Sequence, residues 1–281
     1  MNHPLIYVIF ISGITYIMAI QKGIIMIDFK KAKDEFEKYL DSYDRSNDKI
    51  NLKIIHTYGV MDYSQEVACR MKLSQEDTDL AKIIALLHDI GRFEQLKRYD
   101  SFQPDTMDHA SYGVQLLFDD GMIRRFAADS QWDEIIKTAI AHHSDFALPD
   151  IDDPCTLLHS RLIRDADKLD NCRVKLEESI TTLLGASPAE VGLTSVSPAV
   201  ARSFFRKESV LSSDRKTLID YWISYLAYFF DINFKESLQI IDEHQFISRI
   251  IKRIPYENPD THKIMDEMEH TLNDYVSKAY L

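Results

Sequence analysis

Leu86-Leu87-His88-Asp89-Ile90-Gly91-Arg92 sets a histidine and an aspartate side by side at the end of an apolar helix. Leu80, Ile83, Ile84 and Leu87 recur at helical spacing, which predicts a largely buried segment leading into the pair. A buried His-Asp pair is costly unless something compensates it. Imidazole and carboxylate are both good ligands for first-row divalent metals. Gly91 reads as the residue that lets the helix end, so the pair would sit in a last turn, where the helix dipole favours a cation. The alternative is a satisfied core histidine beside a capping aspartate, and for a solitary pair that alternative would win.

The pair is not solitary. Of the ten histidines, His56, His88, His109, His142 and His143 fall on segments with helical patterning. Apolar periodicity and caps place helices near 29–43, 51–72 (with His56), 75–89, 108–119 (with His109) and 130–143. Residues 93–107 are polar, include Pro104 and are expected to be a loop. A long helix over 157–184 carries Asp165, Asp167 and Asp170. Residues 186–198, rich in Ser, Pro and Ala, are expected to be a linker or mobile loop, followed by helices near 198–206, 214–231, 233–254 and 259–279. The aromatic run from Tyr221 to Phe230 reads as core, and no stretch alternates convincingly enough to demand a sheet. Helices that must pack together can converge inward-facing ligands on one point, as bundles do at metal sites.

His56, then His88-Asp89, then Asp167 in Asp-Ala-Asp-Lys-Leu-Asp resembles, in type, order and separation, the H…HD…D signature of the HD phosphohydrolase superfamily. The resemblance covers roughly residues 50–180. It implies an all-α, HD-domain helical bundle, placed over 26–185; nothing in it explains 186–281, which the helical patterning makes a helical extension. It implies that His56, His88, Asp89 and Asp167 hold a divalent metal such as Mn, Fe, Co, Ni or Mg. His109, His142 and His143 match the extra histidines of subfamilies with a second metal. In single-metal members, histidines of this region position and protonate phosphate, so His109, His142 and Arg92 are the candidate catalytic residues. Arg92 suits bidentate phosphate contact, and its plain reading is a surface arginine. Asp165 and Asp167 lie about 200° apart on a helix, so both cannot face one metal; the motif falls on Asp167, while the apolar face centres nearer Asp165. Asp170 is a candidate supporting residue or a solvated acid.

The implied reaction is hydrolysis of a phosphate ester by metal-activated water. The implied partner is a small phosphorylated substrate, with nucleotides the expected class. The Gly-Tyr-Pro segment that follows the paired histidines in the cyclic-dinucleotide branch is replaced here by Ser144-Asp-Phe-Ala-Leu-Pro, and neither a P-loop nor a dinucleotide fingerprint is present. Two alternatives stay open: a di-iron oxygenase on the same scaffold, and a non-catalytic metal- or ligand-binding protein.

Composition fits an ordinary globular chain of 281 residues, 45% hydrophobic and 28% charged. A net charge of −12 argues against nonspecific nucleic-acid binding, which needs a basic surface. Cys69, Cys155 and Cys172 lack CxxC spacing and read as free thiols in a reducing compartment, not as a thiolate metal site. Residues 1–25 stand apart. The uncharged run Pro4–Ile20 is just long enough to consider as a membrane span, with the following lysines keeping the rest cytoplasmic. Met26 also looks like an ordinary protein start, which would make the upstream residues an over-extended reading frame. The expectation is a cytoplasmic protein, with a single-pass anchor as the alternative.

Overall fold

Local capping chemistry decides where this chain turns. The computed structural model describes residues 5–11, 14–20, 27–103 and 105–279, with the backbone alone described before residue 27. Strands β1 (Leu5–Ile11) and β2 (Ile14–Ile20) pair antiparallel, Leu5 opposite Ile20 and Ile11 opposite Ile14. The expectation of no sheet, with a possible spanning helix here, is thus corrected to a two-stranded ribbon. An apolar run cannot be told from a strand by periodicity, and this one is rich in β-branched and aromatic residues. Among the described residues no helix is long and apolar enough to cross a membrane. The expected start at Met26 lies outside the described residues.

From residue 29 onward the fold is all-α. The helices are α1 (Phe29–Leu40), α2 (Asp48–Arg70), α3 (Gln75–Leu87), α4 (Ile90–Tyr99), α5 (His109–Val114), α6 (Ile123–Phe126), α7 (Asp133–Ala141) and α8 (Pro154–Glu177). The second half continues with α9 (Ile180–Leu184), α10 (Pro188–Leu193), α11 (Pro198–Phe205), α12 (Leu218–Ala227), α13 (Lys235–Glu243), α14 (Phe246–Ile251) and α15 (Pro259–Lys278). Side chains of Asp28, Asn47, Ser74, Asp108, Asp153 and Asn258 accept from backbone N–H groups in the first turns of α1, α2, α3, α5, α8 and α15. These caps satisfy donors that a helix start leaves orphaned.

Three loop and helix expectations change. The segment after His88-Asp89 is helical to Tyr99, because Ile90, Phe93 and Leu96 bury one face and the stop comes only at Asp100, which adopts φ 47°. Gly91 therefore lies inside α4. Its bare Cα marks a helix crossing: a Cβ there would fall 2.2 Å from the His109 carbonyl oxygen and 2.7 Å from Gly113 N. The expected linker 186–198 holds α10, opened by a reciprocal Ser187–Glu190 capping box. The long helix expected over 157–184 breaks after Glu177, with Ser179 capping a separate α9.

Two apolar cores share α2 and α8. One gathers Phe36, Ile83, Leu87, Phe93, Ile136 and Ile140 from α1, α3, α4 and α7. The other gathers Phe204, Trp222, Ile240, Met265 and Leu272 from the C-terminal helices, against Val67 of α2 and Leu169 of α8. Polar residues on the inner faces of α2 and α8 accordingly sit at the junction of two dry layers.

Candidate metal centre

Four of the expected residues meet at that junction. His56 of α2 is 3% exposed, and its Nε2 lies 3.0 Å from Asp167 Oδ1 of α8. His88 and Asp89 occupy the break between α3 and α4, with His88 Nε2 3.5 Å from Asp89 Oδ2. His56 Nε2 is 4.0 Å from that same oxygen. The ligand-capable atoms of His56, His88 and Asp167 all lie within 4.8 Å of one another, and so do those of His88, Asp89 and His143.

The other ends of the rings are anchored. His56 Nδ1 meets Asp170 Oδ2 at 2.6 Å, and Asp170 is in turn clasped by Arg173. His88 Nδ1 donates to the Ala85 carbonyl at 2.7 Å, and His143 Nδ1 donates to the Ile140 carbonyl at 2.8 Å. The two carbonyl contacts put the ring protons of His88 and His143 on Nδ1 and leave their Nε2 lone pairs turned to the centre, while His56 has a carboxylate at each ring nitrogen. Burial pushes His88 down to about 3, so the ring is neutral at physiological pH.

Carboxylate charge is enforced from several sides. Burial alone would raise Asp89, but Lys53, with His88 and Arg92 behind it, holds the group well below the usual range. Lys53 Nζ donates to Asp89 Oδ2 from one turn before His56 on α2. Asp167 is likewise held low despite burial, chiefly by its contact with His56. Burial opposes charge on His56, yet Asp167 and Asp170 together raise its pKa.

The remaining candidates divide. His109 and His143 approach Asp89 Oδ1, their Nε2 atoms at 3.2 and 3.6 Å, and lie 3.2 Å from each other. Arg92 donates through one guanidinium nitrogen to His109 Nε2 at 2.8 Å and through the other to Gln95 Oε1. His142 faces elsewhere: its Nδ1 meets Asp145 Oδ2 at 2.7 Å, and its side chain is 34% exposed. Asp165, on the opposite side of α8, accepts from the backbone N–H groups of Asn233 and Phe234 and from Asn233 Nδ2. Asp165 therefore ties α8 to the C-terminal helices, while Asp167 faces the histidines. Lys53 escaped notice in the sequence, where its only signal is the i, i+3 spacing to His56.

Several buried atoms here have no aligned hydrogen-bond partner: His56 Nε2, His88 Nε2, Asp89 Oδ1 and Arg92 Nε. Buried polar atoms are ordinarily satisfied. Imidazole nitrogens and a carboxylate oxygen that converge without aligned partners fit a divalent cation. Residues 54–172 match the family model described as HD domain. No curated protein and no solved structure matches the chain.

Proposed function

We propose, from the match of residues 54–172 to the HD domain family model, that the protein is a metal-dependent phosphohydrolase that cleaves a phosphate ester, with nucleotides as its substrate class. The observation that carries the reading is the converging set of unsatisfied buried atoms on His56, His88 and Asp89. In this reading His56, His88, Asp89 and Asp167 hold the ion. His109 and His143 hold a second ion or, in a one-ion centre, face the phosphate. A bound divalent ion, such as Mn, Fe, Co, Ni or Mg, supplies Lewis-acid charge stabilisation and an activated water.

The chain's own groups do the rest. Asp170 fixes the His56 ring, and the Ala85 carbonyl fixes that of His88. Arg92 offers phosphate oxygens a planar pair of donors, and Lys53 adds a second cation on the other side of Asp89. His109, kept neutral by burial, turns the Nε2 that accepts from Arg92 toward the site, and this is the atom that takes up a proton beside the phosphate. His142, paired with Asp145, takes no part in holding an ion.

A small cavity of about 40 Å³, lined by Lys168, Asn171, Cys172, Lys175, Tyr225 and Tyr228 among others, lies beside the centre. It adjoins the centre through Asn171, whose Nδ2 donates to Asp167 Oδ1 at 3.0 Å.

The test is phosphate release from a panel of nucleotides and simple phosphate esters, after reconstitution with each ion. The expected result is ion-dependent release that chelation abolishes and that His88→Ala or Asp89→Ala lowers by about a thousandfold. No release with any ion, or two bound irons with substrate-dependent oxygen uptake, would overturn the reading, the latter in favour of an oxygenase.

A further inference from the structure

A second group of ligand-capable side chains lies away from the centre, where the N-terminal turns of α3 and α8 meet. Asp77 occupies the first turn of α3. Cys155 and His159 are four residues apart in the first turns of α8, a spacing that puts both on one helix face. The carboxylate oxygen, thiol sulfur and ring nitrogen they offer lie within 4.8 Å of one another.

His159 is the independent observation. It is 1% exposed, and neither Nδ1 nor Nε2 has a hydrogen-bond partner. Its Nε2 sits 3.5 Å from Asp77 Oδ1, an ion-pair distance without hydrogen-bond alignment. A buried imidazole with both nitrogens unsatisfied is costly and rare. The neighbouring groups are poised to give one of them a partner. Ser74 Oγ donates to Asp77 Oδ2, which leaves Oδ1 turned to the ring. Burial of His159 favours the neutral, ligand-competent ring. Cys155 and Asp77 are both partly exposed, so solvent and ions reach the group.

We propose that Asp77, Cys155 and His159 form a thiolate-containing site for a borderline-soft divalent ion, zinc above all, with a solvent molecule as the fourth ligand. A sulfur, nitrogen and oxygen set with one open position is a recognised tetrahedral zinc arrangement. Ligand atoms around such an ion stand about 3.5 Å apart, so the three side chains need only draw inward by about 1 Å. Binding forms a metal–sulfur bond and releases the Cys155 thiol proton to solvent. Glu76 and Asp153 flank the thiol: the negative charge that helps keep it protonated in the free protein also attracts the ion. The site joins the start of the helix that ends at His88 to the start of the helix that carries Asp167, and so braces both. Without the ion Cys155 is a free thiol, as Cys69 and Cys172 are.

Cobalt(II) titration tests the site, because a cobalt–thiolate bond gives a near-ultraviolet charge-transfer band. The centre at His56 and His88 contains no sulfur, so failure of either site is told apart from failure of the other. The expected result is a saturable band in the full-length wild-type protein and in His88→Ala, displaced by zinc. It should be lost in Cys155→Ser and weakened at least tenfold in apparent affinity in Asp77→Asn, with both variants keeping the wild-type circular dichroism. No band in the wild type, or a band that survives Cys155→Ser, would overturn the proposal.

Discussion

His56 is held from both sides by carboxylates, Asp167 at Nε2 and Asp170 at Nδ1. Asp170 is fully buried and packs so tightly on α2 that a Cβ at Gly59 would lie 1.9 Å from its Oδ1. Its hydrogen bonds go to His56 and Arg173, so its effect on the ion runs through His56. Asp170→Asn is expected to weaken ion binding at the centre by about tenfold or more with little change in fold, since partners of ligating histidines act on that scale. Competition titration with a chelating indicator reads it. Lys175, in the neighbouring cavity, carries a separate expectation. Burial lowers it to about 8, against about 10.4 in an unfolded chain. The unfolded state therefore binds more protons between those values, and stability rises with pH across that window. Below pH 8 both states are charged and the slope vanishes. Denaturant unfolding of wild type and Lys175→Met at pH 7.5 and pH 10 should show the wild type gaining on the variant by roughly 2 kcal/mol.

At the scale of elements, the centre exists because α3 stops at His88 and α4 restarts at Ile90, leaving Asp89 with φ −106° and ψ 19° between them. The restart is only possible because α5 passes over Gly91 in backbone contact. Gly91→Ala would drive a methyl group to 2.2 Å from the His109 carbonyl, which neither backbone can yield cheaply. A loss of about 2 kcal/mol or more is expected, together with weaker ion binding through displaced His109, read by unfolding and metal titration on the same protein. This crossing explains what the sequence concealed. Glycine after His-Asp resembles a helix terminator, and only the partner helix reveals it as a contact point. The apolar stripe of α3 and the His-Asp pair were legible because each depends on neighbours in sequence. Asp165 and Asp167 were not separable, because α8 packs against two cores and both of its faces are buried. The ribbon of β1 and β2 was hidden because an uninterrupted apolar run has no period to read.

At the scale of the molecule, α2 and α8 form a spine with a core on either side. Asp165, Arg164 and Lys168 fasten the C-terminal helices to it through Asn233, Phe234 and Asp231. The C-terminal half is thus wall as well as appendage: Tyr225 and Tyr228 face the lysines of α8 across the cavity next to Asp167. Lys53 and Arg92 both face Asp89, and Lys168 faces Asp231, so the cations around the centre partly offset its carboxylates. His88 belongs to both ligand groups of the centre, the one with His56 and Asp167 and the one with Asp89 and His143. The direct measurement is mass spectrometry of tightly held divalent ions in Cys155→Ser protein, which removes the thiolate site, with and without His88→Ala. The predicted result is stoichiometric ion in the first protein and almost none in the second; equal ion content in the two would contradict a metal centre at His88.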